Sequence, residues 1–191
     1  MRYLGEFLSY LVLAVLGQNL LLDRAIGLDE IITAIGQKHL LWRLVLVVSG
    51  YSAVGVMVAW LLSRFITGRT AYVLLAVMYL LICGVVYFAS DRLLLRVSPE
   101  THDVWGPVLP HALINAAAVG TPLATLTGGM AHWYAALGSG LGAGLGLAVA
   151  VLLVMNGMDI LDYPDMPEAF KGTPALLVYI GILSLGFCAF A

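Results

Sequence analysis

The sequence predicts an all-α integral membrane protein whose six transmembrane helices form two inverted three-helix repeats, with helices 1 and 4 broken or re-entrant. Three observations carry that expectation. Charged residues make up 10% of the 191 positions, hydrophobic residues make up 62%, and mean hydropathy is +1.00. An ordinary soluble domain carries ~25% charged residues and must cover itself with polar groups. The rare charges separate long apolar runs, most of them close to the ~20 residues a helix needs to cross the hydrocarbon core. Two of those runs, the first and the fourth, are interrupted by residues that do not suit a continuous helix. This composition excludes a soluble globular enzyme, a disordered chain and a disulfide scaffold. The net charge of −2 leaves no basic footprint for nucleic acid.

The first segment, residues 5–22, has an uncharged apolar run only from Phe7 to Leu22. Gly17-Gln18-Asn19 stands near its far end, and Asp23-Arg24 follows inside a stretch that is still largely apolar. A half-helix, a break and a second short piece would explain that order. Arg2 is a thin positive region and no small-x-small site follows, so the run reads as a span rather than a cleaved leader. The second segment, 43–64, and the third, 70–90, are plain apolar runs; Ser98-Pro99-Glu100 interrupts the connection that follows. Val104 to Met158 is too long for one span and divides at Thr127-Gly128-Gly129-Met130. That yields a fourth segment at 105–126 and a fifth at 131–157. The fourth contains Pro107, Pro110, Gly120 and Pro122, with His111 and Asn115 between them. Each proline removes a backbone donor. Asp162-Tyr163-Pro164-Asp165-Met166-Pro167 reads as a polar loop, and the sixth segment, 173–191, opens with Thr173 as an N-cap and Pro174 in the first helical position. The runs are continuous and not alternating, which favours helices over a barrel.

Interrupted segments in corresponding positions of two halves point to an inverted repeat with a site near the bilayer midplane. The chain is then a single membrane domain, 1–191, with repeat one at about 1–92 and repeat two at about 104–191. Asn19 and Asn115 become pseudo-symmetric partners. Gln18, Asn19 and Asn115 either hydrogen-bond carbonyls freed by the breaks or line an ion path. Asp23 and Arg24 read as a charge pair at the break, or as an interfacial pair whose arginine snorkels. His111 either shuttles protons or satisfies a freed carbonyl. Gly138, Gly142 and Gly146 recur every four residues and form a flat strip for close helix packing; Gly140 and Gly144 do the same on a neighbouring face. Asp159, Asp162, Asp165 and Glu168 make a solvated connection or a docking loop for a partner. Cys83 and Cys188 form no CxxC pair and read as small hydrophobes. No catalytic residue is evident.

In order along the chain, several motifs resemble the Rnf/Nqr family of small integral membrane electron-transport subunits, nearest its RnfA/NqrE branch. They are Gln18-Asn19 with Arg24 and Gly27-Leu28; Ser98-Pro99, Gly106, Leu109-Pro110, Asn115 and Gly120; the glycine-rich fifth segment; Asp165-Met166-Pro167-Glu168-Ala169-Phe170-Lys171-Gly172; and Ser184-Leu185. The resemblance implies six helices in two inverted triplets and a heterodimer with a paralogue of opposite topology. It further implies that each partner supplies two cysteines, from its two broken helices, to a mid-membrane [2Fe–2S] cluster. This chain departs there. Asp29 and Ala116 stand where the family has cysteine, and Glu30 replaces the family's proline. Alanine cannot ligate iron, so no cofactor is expected in this chain, and Asp29 joins the path candidates.

The resemblance therefore implies membership of an ion-translocating electron-transport complex, here as scaffold or ion-path element. The alternative reading is a self-sufficient homodimeric transporter of ions or small solutes on the same framework; a purely structural subunit is a third. The expected surroundings are a bacterial-type inner membrane, a paralogous subunit or an antiparallel homodimer, and further electron-transport subunits. Arg2, Arg64 and Arg69 fall on the N-terminal side, against Lys38, Arg43, Arg92, Arg96 and Lys171 on the other, which leans towards both termini outside.

Overall fold

The structure is a computed structural model, and it describes residues 2–17, 19, 22, 38–65, 71–114, 118–123, 132–161, 167 and 171–190. Helix α1 spans Arg2–Leu16, α2 Lys38–Phe65, α3 Ala71–Val97, α4 Pro99–Trp105, α5 Val108–Ile114, α6 Trp133–Leu161 and α7 Thr173–Phe187. A 3-10 turn at Cys188–Phe190 closes α7, and residues 118–123 are also helical. Among the described residues there is no strand. Three helices, α2, α3 and α6, are long and apolar enough to cross a bilayer, while α1, the 108–123 stretch and α7 are shorter apolar helices.

Several boundaries differ from the sequence reading: α1 stops at Leu16, α2 starts at Lys38 rather than at 43, α6 runs on to Leu161 rather than 157, and three further differences have a local cause. The third segment does not stop at Ser90 but continues as helix to Val97, carrying Asp91, Arg92 and Arg96 on its last turns. Charges end the apolar run without ending the helix, since a span can project into the headgroup layer. Ser98-Pro99-Glu100, read as an interruption, is a helix start. The Ser98 hydroxyl accepts from the Thr101 N–H at 3.3 Å, and proline sits in the first turn, where no intrahelical N–H is needed. The N-cap of α7 is Gly172 rather than Thr173. Its φ of +77° is a left-handed conformation that glycine adopts without strain, and its carbonyl accepts from the Leu176 N–H at 3.1 Å.

Helix α6 is the axis of the molecule, packed against α1, α2 and α7, and α2 in turn packs against α5 and α3. Glycine makes the two closest approaches possible. A Cβ at Gly138 would lie 2.7 Å from the Phe7 carbonyl oxygen, and one at Gly142 would lie 2.6 Å from both the Ala14 Cβ and the Leu11 carbonyl oxygen. One turn on, Gly146 lies against Val15 and Asn19. Residue numbers on α1 and α6 rise together, so the two helices run parallel. The other strip faces α2, where a Cβ at Gly140 would lie 2.9 Å from the Ala53 Cα and one at Gly144 would lie 2.7 Å from the Ser49 Cα. There the numbers run in opposition, so α2 and α6 are antiparallel. The main core fills the space between α2, α5, α6 and α7 with Leu22, Val48, Val108, Leu147, Val151 and Ile180. Serines within the helices donate back to carbonyls of their own preceding turn, as Ser49 does to Val45 at 2.6 Å and Ser90 to Val86 at 2.7 Å. The outer faces of α1 and α3 stay apolar and exposed, with Leu8, Val12, Val77, Leu81 and Phe88 among them, as a hydrocarbon surround requires.

Candidate functional site

Helix α1 ends at Leu16, where the Gly17 N–H donates to the Leu13 carbonyl at 2.8 Å. Fifteen residues give a rod of about 22 Å, short of the ~30 Å hydrocarbon core. The end of that rod lies beside Gly146, near the middle of the 29-residue α6. A helix terminus at such depth leaves carbonyls without partners, and water is not there to supply them. Asn19 supplies them instead. It is 3% exposed, and its Nδ2 donates to the Gly146 carbonyl at 2.8 Å and to the Val15 carbonyl at 3.3 Å. Its Oδ1 accepts from the Leu22 N–H at 3.4 Å, the i to i+3 geometry of an N-cap. One amide therefore closes the end of α1, accepts from the Leu22 N–H and ties both to α6.

The fourth segment runs beside α2. The Arg43 guanidinium donates to the Val104 carbonyl at 3.3 Å and lies 6.0 Å over the Trp105 ring, and further along Pro122 meets Gly55. Numbers rise together, so this segment is parallel to α2 and antiparallel to α1. Leu113 and Ala118, which bracket residues 115–117, lie at the level of Tyr51 and Gly55, around the middle of α2. The Tyr79 hydroxyl, from α3, donates to the Ala118 carbonyl at 3.1 Å.

Of the residues singled out from sequence, Asn19 is buried at mid-depth and His111 is exposed on α5; the structure does not bring these two together. Gly138, Gly142 and Gly146 line the α1 contact. Gln18, Asp23, Arg24, Asp29 and Asn115 lie outside the described residues, as do Ala116 and most of the 162–170 loop. Sequence reasoning missed three polar contacts. Tyr79 is one; the missing N–H of Pro122 was the signal that Ala118 needed another donor. At the bundle end where α1 and α6 begin, the Tyr134 hydroxyl donates to the Glu6 carboxylate at 2.8 Å, with Tyr3 and His132 packed on the same ring. At the opposite end His102 of α4 meets Asp91 of α3 at 2.9 Å, both side chains one quarter exposed. The Ser52 hydroxyl, on buried α2 surface facing α6, has no hydrogen-bond partner among the described residues. No group of three His, Cys, Asp or Glu among the described residues could hold a metal. Among the described residues the arrangement brings amide, hydroxyl and backbone carbonyl groups together around the middle of α2 and α6, where they satisfy one another.

The family model described as "Rnf-Nqr subunit, membrane protein" matches residues 7–191. The A-type subunit of the ion-translocating oxidoreductase complex of Pasteurella multocida is 28% identical over 200 residues, covering 97% of this chain and 96% of that protein. The protein of the same description from Alcanivorax borkumensis is 27% identical over 193 residues, with 97% and 96% covered. That of Erwinia tasmaniensis is 28% identical over 134 residues, covering 70% of this chain and 69% of its own.

Proposed function

The chain belongs to the Rnf-Nqr family of membrane subunits, and on that premise we propose that it is an A-type component of an ion-translocating oxidoreductase complex, serving as scaffold and ion-path element. The near full-length similarity to the A-type components of such complexes carries this reading.

Its six spans form two inverted triplets with broken first and fourth members. The support is directional and positional. The first segment enters parallel to α6 and the fourth parallel to α2, while α2 and α6 are antiparallel. Helix α1 ends near the middle of α6, and the flanks of residues 115–117, Leu113 and Ala118, lie near the middle of α2. A shift of 96 residues carries Asn19 onto Asn115 and Gly50 onto Gly146. The same shift carries Lys38–Phe65 onto 134–161, against Trp133–Leu161 for α6, and Ala71–Val97 onto 167–193, a longer range that contains Thr173–Phe187 of α7. On this reading the two breaks would set Asn19 and Asn115 at matching depths, where an ion path needs polar groups.

The chain carries no [2Fe–2S] cluster of its own. A cluster needs thiolate or occasionally imidazole ligands. Ala116 offers no donor atom, and the two cysteines stand elsewhere: Cys83 half-buried on α3 and Cys188 exposed at the end of α7. The partner is a paralogous subunit of opposite topology. The test is purification of the tagged chain from its native membranes under anaerobic conditions. Stable recovery of further membrane subunits of the complex is expected, and the isolated chain shows protein absorbance alone. Recovery of the chain by itself, with ion or solute flux in reconstituted vesicles, would favour the homodimeric transporter instead. Iron–sulfur bands from the isolated chain would overturn the reading of Asp29 and Ala116.

A further inference from the structure

We propose that Tyr79 is a positioning residue for the fourth span, its hydroxyl standing in for the backbone N–H that Pro122 lacks and so holding the 118–123 piece against α2 and α3. In an α-helix the carbonyl of residue 118 accepts from the N–H of residue 122, and proline has none. The Tyr79 hydroxyl reaches that same carbonyl at 3.1 Å from a neighbouring helix. Tyr79 is 1% exposed and is the one α3 side chain among the described residues that is fully buried. Gly55 makes the reach possible, because a Cβ there would collide with the Tyr79 hydroxyl and lie 2.9 Å from the Pro122 Cγ. Three elements thus meet at three residues whose particular chemistry fits together: a glycine that leaves room, a proline that withholds a donor and a tyrosine that provides one. Half-buried Val58, Leu62, Cys83, Val119 and Leu123 pack around Ala59 and Tyr79, so the contact sits in largely apolar surface, where a lost donor is costly to replace. Elsewhere α3 turns Val77, Leu81, Val85 and Phe88 outward, while Ile82, Cys83 and Val86 lie on the same side as Tyr79, near Leu113 and Ala118, so Tyr79 is its one fully buried side chain among the described residues on the face that meets the fourth span.

The positioning role stands on these contacts alone. Only its consequence for transport rests on the ion-path reading proposed above, in which the fourth span is one of the two broken ones. The test uses the full chain in lipid nanodiscs, with Tyr79→Phe, Pro122→Ala and the double variant compared by amide hydrogen exchange over residues 118–123. Tyr79→Phe alone raises exchange about tenfold, since a buried acceptor loses its donor. Pro122→Ala restores an N–H for the Ala118 carbonyl, so adding Tyr79→Phe to it has less than about a threefold effect. Equal acceleration in both backgrounds, or no acceleration by Tyr79→Phe in the natural chain, overturns the proposal. If Pro122→Ala does not fold, Gly55→Ala replaces it. Its methyl group displaces the hydroxyl and also presses on the Pro122 Cγ, so it raises exchange by itself; with the hydroxyl already displaced, adding Tyr79→Phe has less than about a threefold effect, and a further rise of about tenfold overturns the role. Ion transport by the reconstituted complex separates the two ideas. Coupled exchange with unchanged transport upholds the positioning role and counts against the fourth span as part of the path.

Discussion

A helix that ends inside hydrocarbon must find partners for its last carbonyls within the protein, and Asn19 meets that need with one side chain. Replacing it with leucine, which has the same branched heavy-atom skeleton but larger methyl groups, removes the donations to Val15 and Gly146 and the acceptor for the Leu22 N–H. Leaving buried backbone groups unsatisfied costs about 1–3 kcal/mol. Asn19→Leu therefore lowers the melting temperature in detergent by about 2–4 °C for each kcal/mol lost, and a melting temperature equal to that of the natural chain would show that the amide is dispensable. The sequence presents Asn19 and His111 alike, as polar residues in apolar runs. It does not show that Asn19 turns inward against α6 while His111 faces outward from α5. That distinction depends on which side of each short helix meets its neighbour, and a short run of apolar residues is too little pattern to define a side.

Among the elements, α6 shows how much a spacing can reveal. Glycines every four residues signal a close approach, and their two rows meet α1 and α2 respectively. The identity of the two neighbours was not legible, because a strip of glycines carries no address. Gly142→Leu forces side-chain atoms into the Ala14 Cβ and the Leu11 carbonyl oxygen and destabilises by about 2–3 kcal/mol. Gly84→Leu is the control, since nothing lies within 4 Å of a Cβ there. Monodisperse yield and thermal stability in detergent should fall for the first variant and hold for the second; equal behaviour of the two would remove the α1 contact as a determinant of the fold. The missed helix α4 has a different cause. Ser-Pro-Glu is both a common interruption and a common helix start, and only the residues that follow, with no buried face of their own, decide between them.

At the scale of the whole molecule, helix directions sort the charges into two ends. Helix α1 is parallel to α6 and antiparallel to α2, so Glu6, Tyr134 and Arg64 share one end. Arg43, Arg92, Arg96 and the His102–Asp91 pair share the other, because Arg43 binds Val104 of α4 and α4 follows directly on α3. Counting spans along the sequence produces the same grouping, since each crossing of an apolar run changes sides whatever its packing. What counting cannot supply is which end faces the cytoplasm. Lys and Arg are retained on the cytoplasmic side, so the end with Arg43, Arg92 and Arg96 is expected inside. Tyr3 and Val97 report the two ends and are well exposed, at 70% and 76%. In a Cys83→Ser, Cys188→Ser background, Tyr3→Cys should react with an impermeant thiol reagent on intact cells, and Val97→Cys only after the membrane is opened. The reverse pattern would invert the assignment. Labelling of both positions on intact cells, each incomplete until the membrane is opened, would mean that the chain inserts both ways, as an antiparallel pair of identical chains requires. A difference of two or three basic residues between the ends is small enough for that outcome to be decided by the partner rather than by the chain itself, so the labelling is made in cells that contain the whole complex.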